Sequence, residues 1–186
     1  MTEADASEPR DGRTTDTRQR IQEVAIGLFL ERGFSNTTLL DIAARLGVTK
    51  AALYYHFPSK AALIGSVLQP AIDDVNAFLE EAERTPLSVR ELLERFFDLN
   101  YEHRAVFAAL IRDPAGLGAV DAVGWVTRLA VSFQHLLAGP DATAEQRIRA
   151  IIAANGLSRC ATLLTDVPRE QLRSTTVDVA VEIVEG

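Results

Sequence analysis

A chain of 186 residues, 47% of them apolar and with a formal net charge of −7, has room for one sizeable domain or for a small module joined to a larger one. No window approaches the ~18 uninterrupted apolar residues of a membrane span, and the first residues lack the basic and apolar regions of a signal peptide, so a cytoplasmic protein is expected. The single cysteine, Cys160, excludes an internal disulfide and agrees with a reducing compartment.

Residues 1–15 are polar, without an apolar period, and are expected to form a flexible tail. From Thr17 the residues Ile21, Val24, Ala25, Leu28 and Phe29 recur at three- and four-residue steps, which predicts a helix with one buried face, stopped at Gly33. Thr38 with Asp41 reads as a capping box before the short apolar stripe Ile42, Ala43, Leu46. Gly47 breaks that helix, and Thr49 caps another that ends before Pro58.

The remaining segments also read as helices. Ser59 caps one running to about Arg84, with Pro70 as an expected kink. Ser88 and Glu91 form a capping box before Leu92, Leu93, Phe96 and Phe97. A helix over Arg104–Arg112 is followed by a Gly116–Gly118 loop, then by one from Ala119 to Ala138 that Gly139 and Pro140 stop. Thr143 and Gln146 open a helix to about Leu164, and Pro168 sits at the first turn of a last one reaching Val184. No segment reads as a strand, so the expected class is all-α.

Charge divides unevenly. Residues 17–60 carry Arg18, Arg20, Arg32, Arg45, Lys50 and Lys60 against Glu23, Glu31 and Asp41, a local net of +3, while residues 61–186 carry −7. The overall acidity therefore does not exclude an anionic partner for the first part.

Two short helices joined by a glycine-containing turn form a helix-turn-helix pattern, whose second helix can enter a DNA major groove. Leu53 and Phe57, four apart, point into the core with Val48. The opposite surface then carries Ala51, Ala52 and Tyr55, flanked by Lys50, Tyr54 and His56. Small residues permit close approach to base edges, Lys50 can donate to guanine O6 and N7, and Thr38, Thr49 and Lys60 stand at helix N-termini where amides can meet phosphates.

Taken with Leu28-Phe29, Glu31-Arg32-Gly33-Phe34, Thr37-Thr38, Ile42-Ala43, Leu46-Gly47-Val48, Leu53-Tyr54-Tyr55-His56-Phe57 and Lys60-Ala61-Ala62-Leu63, this segment resembles the DNA-binding domain of the TetR family of bacterial transcriptional regulators. Position 61 is more often acidic in such proteins and is alanine here. The resemblance implies base or phosphate contacts at Lys50, Ala51, Ala52, Tyr54 and His56, and phosphate contacts at Thr38, Thr49, Tyr55 and Lys60. It implies a three-helix DNA-binding domain over 16–62 and a larger helical domain over 63–186 that binds an effector and forms a homodimer through its last two helices.

Under that implication Phe97, Tyr101, Phe107, Trp125 and Phe133 are the aromatic candidates for an effector pocket, and a hydrophobic or amphipathic small molecule is the expected ligand. Ile148, Ile152, Gly156, Leu163, Val177 and Ile183 are the candidates for the dimer face, with Gly156 permitting close helix approach. The expected activity is repression from a palindromic double-stranded DNA operator, relieved by the effector.

A helical enzyme is the competing class. Three histidines and one cysteine assemble no nucleophile–base set, no phosphate loop and no metal site, so neither catalysis nor a cofactor is expected. His103, His135 and Cys160 each have a plain structural role available. A helical adaptor that has lost DNA binding is the third possibility, against which the intact Thr49–Lys60 segment speaks.

Overall fold

The computed structural model describes residues 11–114 and 122–186. The helices there are α1 (Asp11–Arg32), α2 (Leu39–Leu46), α3 (Lys50–His56), α4 (Lys60–Arg84), α5 (Val89–Glu102), α6 (Arg104–Arg112), α7 (Ala122–Ala138), α8 (Ala144–Leu163) and α9 (Arg169–Glu185). No strand occurs among the described residues, and the fold is all-α.

Helix starts follow local chemistry. Thr38 Oγ1 accepts from the Asp41 amide at 3.1 Å, and the Asp41 carboxylate accepts from the Thr38 amide at 2.8 Å. The reciprocal bonds satisfy amides that the first turn leaves without partners. Ser88 with Glu91 and Thr143 with Gln146 repeat the arrangement at α5 and α8. Gly33 and Gly47 stop α1 and α2 in the left-handed region, with φ of 82° and 75°.

Several boundaries differ from expectation. Helix α1 begins at Asp11, ahead of the apolar period, because adding a turn to an anchored helix gains one hydrogen bond per residue fixed without repeating the cost of nucleation. Residues 1–10 of the expected tail, the Gly116–Gly118 loop and the expected start at Ala119 lie outside the described residues. Pro168 caps α9 instead of standing inside its first turn.

Pro70 lies inside α4, which runs through it as one helix. A proline there removes the donor owed to the carbonyl four residues back, that of Ser66. Gln22 of α1 fills the gap: its Nε2 donates to the Ser66 carbonyl at 3.1 Å and lies 3.0 Å from Ser66 Oγ. The side chain of one helix thus completes the backbone of another, which ties α1 to α4.

Two apolar clusters organise the interior. One joins α1–α3 to the first half of α4 and to α6 through Ile21, Phe29, Phe34, Ile42, Leu53, Phe57, Leu68, Val106 and Leu110, and reaches Trp125 of α7. The other joins the second half of α4 to α5, α7, α8 and α9 around Phe78, Phe97, Phe133, Leu157 and Val177. The domain boundary expected after residue 62 falls in the first turn of α4, and the first cluster continues beyond it.

Candidate nucleic-acid interface

The α2–α3 pair is built from short-range contacts. Gly47 turns the chain, the Val48 amide donates back to the Ala43 carbonyl at 3.0 Å, and Thr49 Oγ1 accepts from the Ala52 amide at 3.2 Å to start α3. Leu53 and Phe57 are fully buried and fix which face of α3 turns outward. Arg18 of α1 clamps the end of that helix, with its guanidinium 4.4 Å from the Phe57 ring centroid and Nη1 donating to the His56 carbonyl at 3.2 Å. The contact spans 38 residues and leaves no local signal in the sequence, where Arg18 reads only as a charge.

The outward face matches the residues expected there. Ala51 and Ala52 are exposed, Tyr55 is 80% and Tyr54 41% exposed, and Thr38, Thr49 and Lys50 are exposed. Lys50 Nζ lies 5.5 Å from the Tyr54 ring centroid, and the Tyr55 and His56 rings meet edge to face at 5.3 Å. His56 and Lys60 are half-buried, and Lys60 Nζ donates to the Ser35 carbonyl at 3.3 Å. Lys60 therefore also braces the α1–α2 turn.

Two acidic groups nearby are held by hydrogen bonds. Arg45 donates to both oxygens of Glu31 at 3.2 and 2.9 Å, and these bonds hold the Glu31 carboxyl below its ordinary range. Asp41 is held low first by the Thr38 hydroxyl, then by the Thr38 amide. Glu31 is thus paired with Arg45 and Asp41 lies 3.8 Å from Arg32, while Lys50 stands exposed among the small and phenolic groups of α3.

A second concavity lies between α5, α6, α7 and α8. It is a cleft of ≈ 330 Å³ whose lining includes the apolar Phe96, Phe107, Leu110, Leu129 and Phe133 and the polar Asn100, Gln134, Asn155, Ser158 and Arg159. Of the five expected aromatics, Phe107 and Phe133 line it. Phe97, Tyr101 and Trp125 do not. Phe97 is fully buried and stacks at 5.8 Å on Tyr101, whose ring has the Arg104 guanidinium 4.5 Å and that of Arg169 5.2 Å from its centroid. Trp125 lies parallel to Phe107 at 6.4 Å, outside the lining.

Phe96, one residue from the expected Phe97, faces the cleft and stacks on Phe133 at 3.8 Å. The polar residues were not anticipated, although Asn100 falls on the apolar period of α5 and could have been noticed as a buried polar group, since it is only 3% exposed.

Helix α6 links this cleft to the first three helices. Asp113, just past its end, accepts from the Ser35 amide at 2.7 Å, and Arg112 donates to the Glu31 carbonyl at 3.1 Å. Gly33 makes the approach possible: a Cβ there would lie 2.8 Å from the Asp113 carboxylate.

On α8 and α9, Ile148, Ile152 and Leu163 are 57%, 54% and 47% exposed, and Gly156 and Ile183 line a shallow groove between the two helices. Val177, expected on the same face, is instead 1% exposed and turned into the core of the chain, where no second copy can reach it, whereas Val179, two positions on, is 50% exposed. No described helix is long and apolar enough to cross a membrane, and no group of three or more metal-ligating side chains occurs among the described residues.

Residues 21–67 match the model of the bacterial regulatory proteins of the tetR family. The transcriptional repressor KstR2 of Rhodococcus jostii RHA1 is 31% identical over 142 residues, covering 73% of this chain and 67% of that one. The repressor DhaR of Mycobacterium sp. GP1 is 37% identical over 110 residues, 57% of this chain and 49% of that one. The solved structure of the ketosteroid transcriptional regulator KstR2 of Mycobacterium tuberculosis shares the fold, with a TM-score of 0.70 at 16% identity and 97% coverage of both chains. The match of the helix-turn-helix segment and the similarity along most of the chain place this protein in the TetR family, as a helix-turn-helix transcriptional regulator and not an enzyme.

Proposed function

We propose that the protein is a homodimeric repressor that reads a palindromic operator with α3 and leaves it when a hydrophobic or amphipathic effector occupies the α5–α8 cleft. One observation carries this: the exposed pair Ala51 and Ala52 sits on a helix rigidly seated by Leu53 and Phe57, with Lys50, Tyr54, Tyr55 and His56 around it. Alanine methyls fit against a thymine methyl, and the surrounding donors reach base edges and phosphates. Thr38, Thr49 and Lys60 fix register on the backbone. Residues 16–62 form the DNA-binding unit and 63–186 the effector and dimer unit.

The dimer forms through the exposed apolar surface of α8 and α9, and two-fold symmetry in the protein calls for two-fold symmetry in the site. An effector acts only through its different affinities for the DNA-competent and released states. Coupling is supported by α6, which contributes Phe107, Leu110 and Ile111 to the cleft and whose end bonds to the α1–α2 turn through Arg112 and Asp113.

The test is selection of bound duplexes from a random pool by the purified protein at moderate salt, followed by a reporter placed behind the selected site. Enrichment of a palindrome with half-sites about 10 base pairs apart, and lower reporter output with the protein present, are expected. Salt-sensitive background binding without enrichment would favour a helical adaptor, and raised reporter output would make the protein an activator.

A further inference from the structure

The cleft is divided chemically. Phe107 and Leu110 of α6 and Phe133 of α7 give it an apolar wall, while α8 turns Asn155, Ser158 and Arg159 towards it. These polar groups differ in whether the protein already uses their hydrogen bonds. Ser158 Oγ lies 2.7 Å from Asn100 Oδ1 and donates to it, and the buried Asn100 donates through Nδ2 to the Phe96 carbonyl at 2.7 Å, so this pair is satisfied internally. Asn155 Nδ2 is used on the Ile151 carbonyl at 2.9 Å. The side chains of Gln134 and Arg159 make no hydrogen bond or ion pair among the described residues.

Arg159, like Arg147 of the same helix, has no ion pair among the described residues, but of the two only Arg159 lines the cleft, whereas three other arginines of α8 and α9 are paired. Arg149 has Glu145 at 2.9 Å, Arg169 has Asp98 at 3.1 Å, and Arg173 has Asp98 at 2.9 Å and Glu94 at 3.3 Å. The helical neighbours of Arg159 at three and four residues are Asn155, Gly156, Thr162 and Leu163, with no carboxylate among them. In a chain of net −7, a guanidinium at an apolar cleft with no carboxylate partner among the described residues is the feature that would admit an anion there. A guanidinium presents a planar fork matched to a carboxylate, and Gln134 of α7 adds a neutral amide to the lining. The volume of ≈ 330 Å³ is at the lower end of ligand pockets, about 300–1,000 Å³.

We propose that the cleft takes an amphipathic monocarboxylate, its hydrocarbon part against Phe107, Leu110 and Phe133 and its carboxylate paired with Arg159. The proposal rests on the cleft being the effector site, and adds the charge of the ligand and the residue that reads it.

Trp125 is the sole tryptophan and lies parallel to Phe107, a wall residue, at 6.4 Å, so its fluorescence reports occupancy of the cleft in the unmodified full chain. The probes are decanoate and 1-adamantaneacetate, each compared with its primary amide, which separate chain from ring and charge from shape. Titration should show at least one acid binding about tenfold or more tighter than its amide, the range of a charge-assisted hydrogen bond. Arg159→Gln should bring acid and amide to within about twofold of each other, chiefly by weakening the acid, and Arg159→Lys should keep part of the preference.

Equal binding of acid and amide by the unmodified protein, or a preference that survives Arg159→Gln, overturns the proposal; release of selected DNA by the amides would then leave the effector reading standing. Failure of every probe to bind overturns the proposal, and DNA released by other, neutral compounds would again keep the effector reading. An Arg159→Gln protein that loses its oligomeric state but keeps the acid preference assigns Arg159 to the subunit interface and also overturns it.

Discussion

The two lysines of the chain have separate surroundings and should fail differently. Lys50 is exposed at the start of α3, beside the outward alanines, whereas Lys60 is half-buried and already bonded to Ser35. Lys50→Ala is expected to change which duplexes are selected, at a cost of about 1–3 kcal/mol on the preferred site. Lys60→Ala is expected to weaken all duplexes alike and to reduce the salt slope by about one, read from affinities at several salt concentrations. Asp41 offers a pH test in the same segment. Its bonds from Thr38 hold the folded-state carboxyl below the unfolded one, so the stabilisation is fully present above the ordinary carboxylate range and is lost as pH falls through the lower folded value. Urea midpoints of the unmodified protein and of Asp41→Asn should therefore differ at neutral pH and converge in acid.

Between elements, the distance along the chain decided what the sequence could reveal. Caps were legible because Thr38 and Asp41, or Ser88 and Glu91, lie three residues apart and declare themselves in any window. The outward face of α3 was legible because Leu53 and Phe57 fix it. Gln22 with Ser66, Arg18 with His56 and Asp113 with Ser35 are separated by 44, 38 and 78 residues, and no periodicity predicts them. The cleft suffered similarly: helical period said that α5 is amphipathic, but one residue rotates the face by about 100°, which is the difference between Phe96 and Phe97. The Gln22 contact can be tested against the residue that makes it necessary. Gln22→Ala leaves the Ser66 carbonyl without its partner and should cost on the order of 1 kcal/mol. In a Pro70→Ala background the helix regains its own donor, so the same substitution should cost clearly less. A double-mutant cycle of urea unfolding measures that difference, and a cost unchanged by Pro70→Ala would mean Gln22 contributes only through Ser66 Oγ or through packing.

At the scale of the whole molecule, α8 and α9 face two ways, and the sequence pattern mixed the two faces. Valines two apart on a helix lie about 200° from each other, so Val177 enters the protomer core while Val179 joins Ile148, Ile152 and Leu163 at the surface. Exposed large aliphatic side chains grouped on two adjacent helices are the surface a second copy would cover. The two faces predict opposite phenotypes. Ile152→Glu places a charge on the outer face, so it should shift the protein towards monomer in sedimentation or gel filtration while leaving the helical circular dichroism of the protomer intact. Operator affinity should fall with it, because each monomer then holds one half-site without the second to retain it. Val177→Ala removes buried methyl groups from a fully packed position and should lower unfolding stability by on the order of 2 kcal/mol, while a folded population at low temperature keeps its assembly state. A monomeric Val177→Ala protein, or an Ile152→Glu protein that remains assembled and bound to the palindrome, would move the subunit contact off the outer face of α8 and α9.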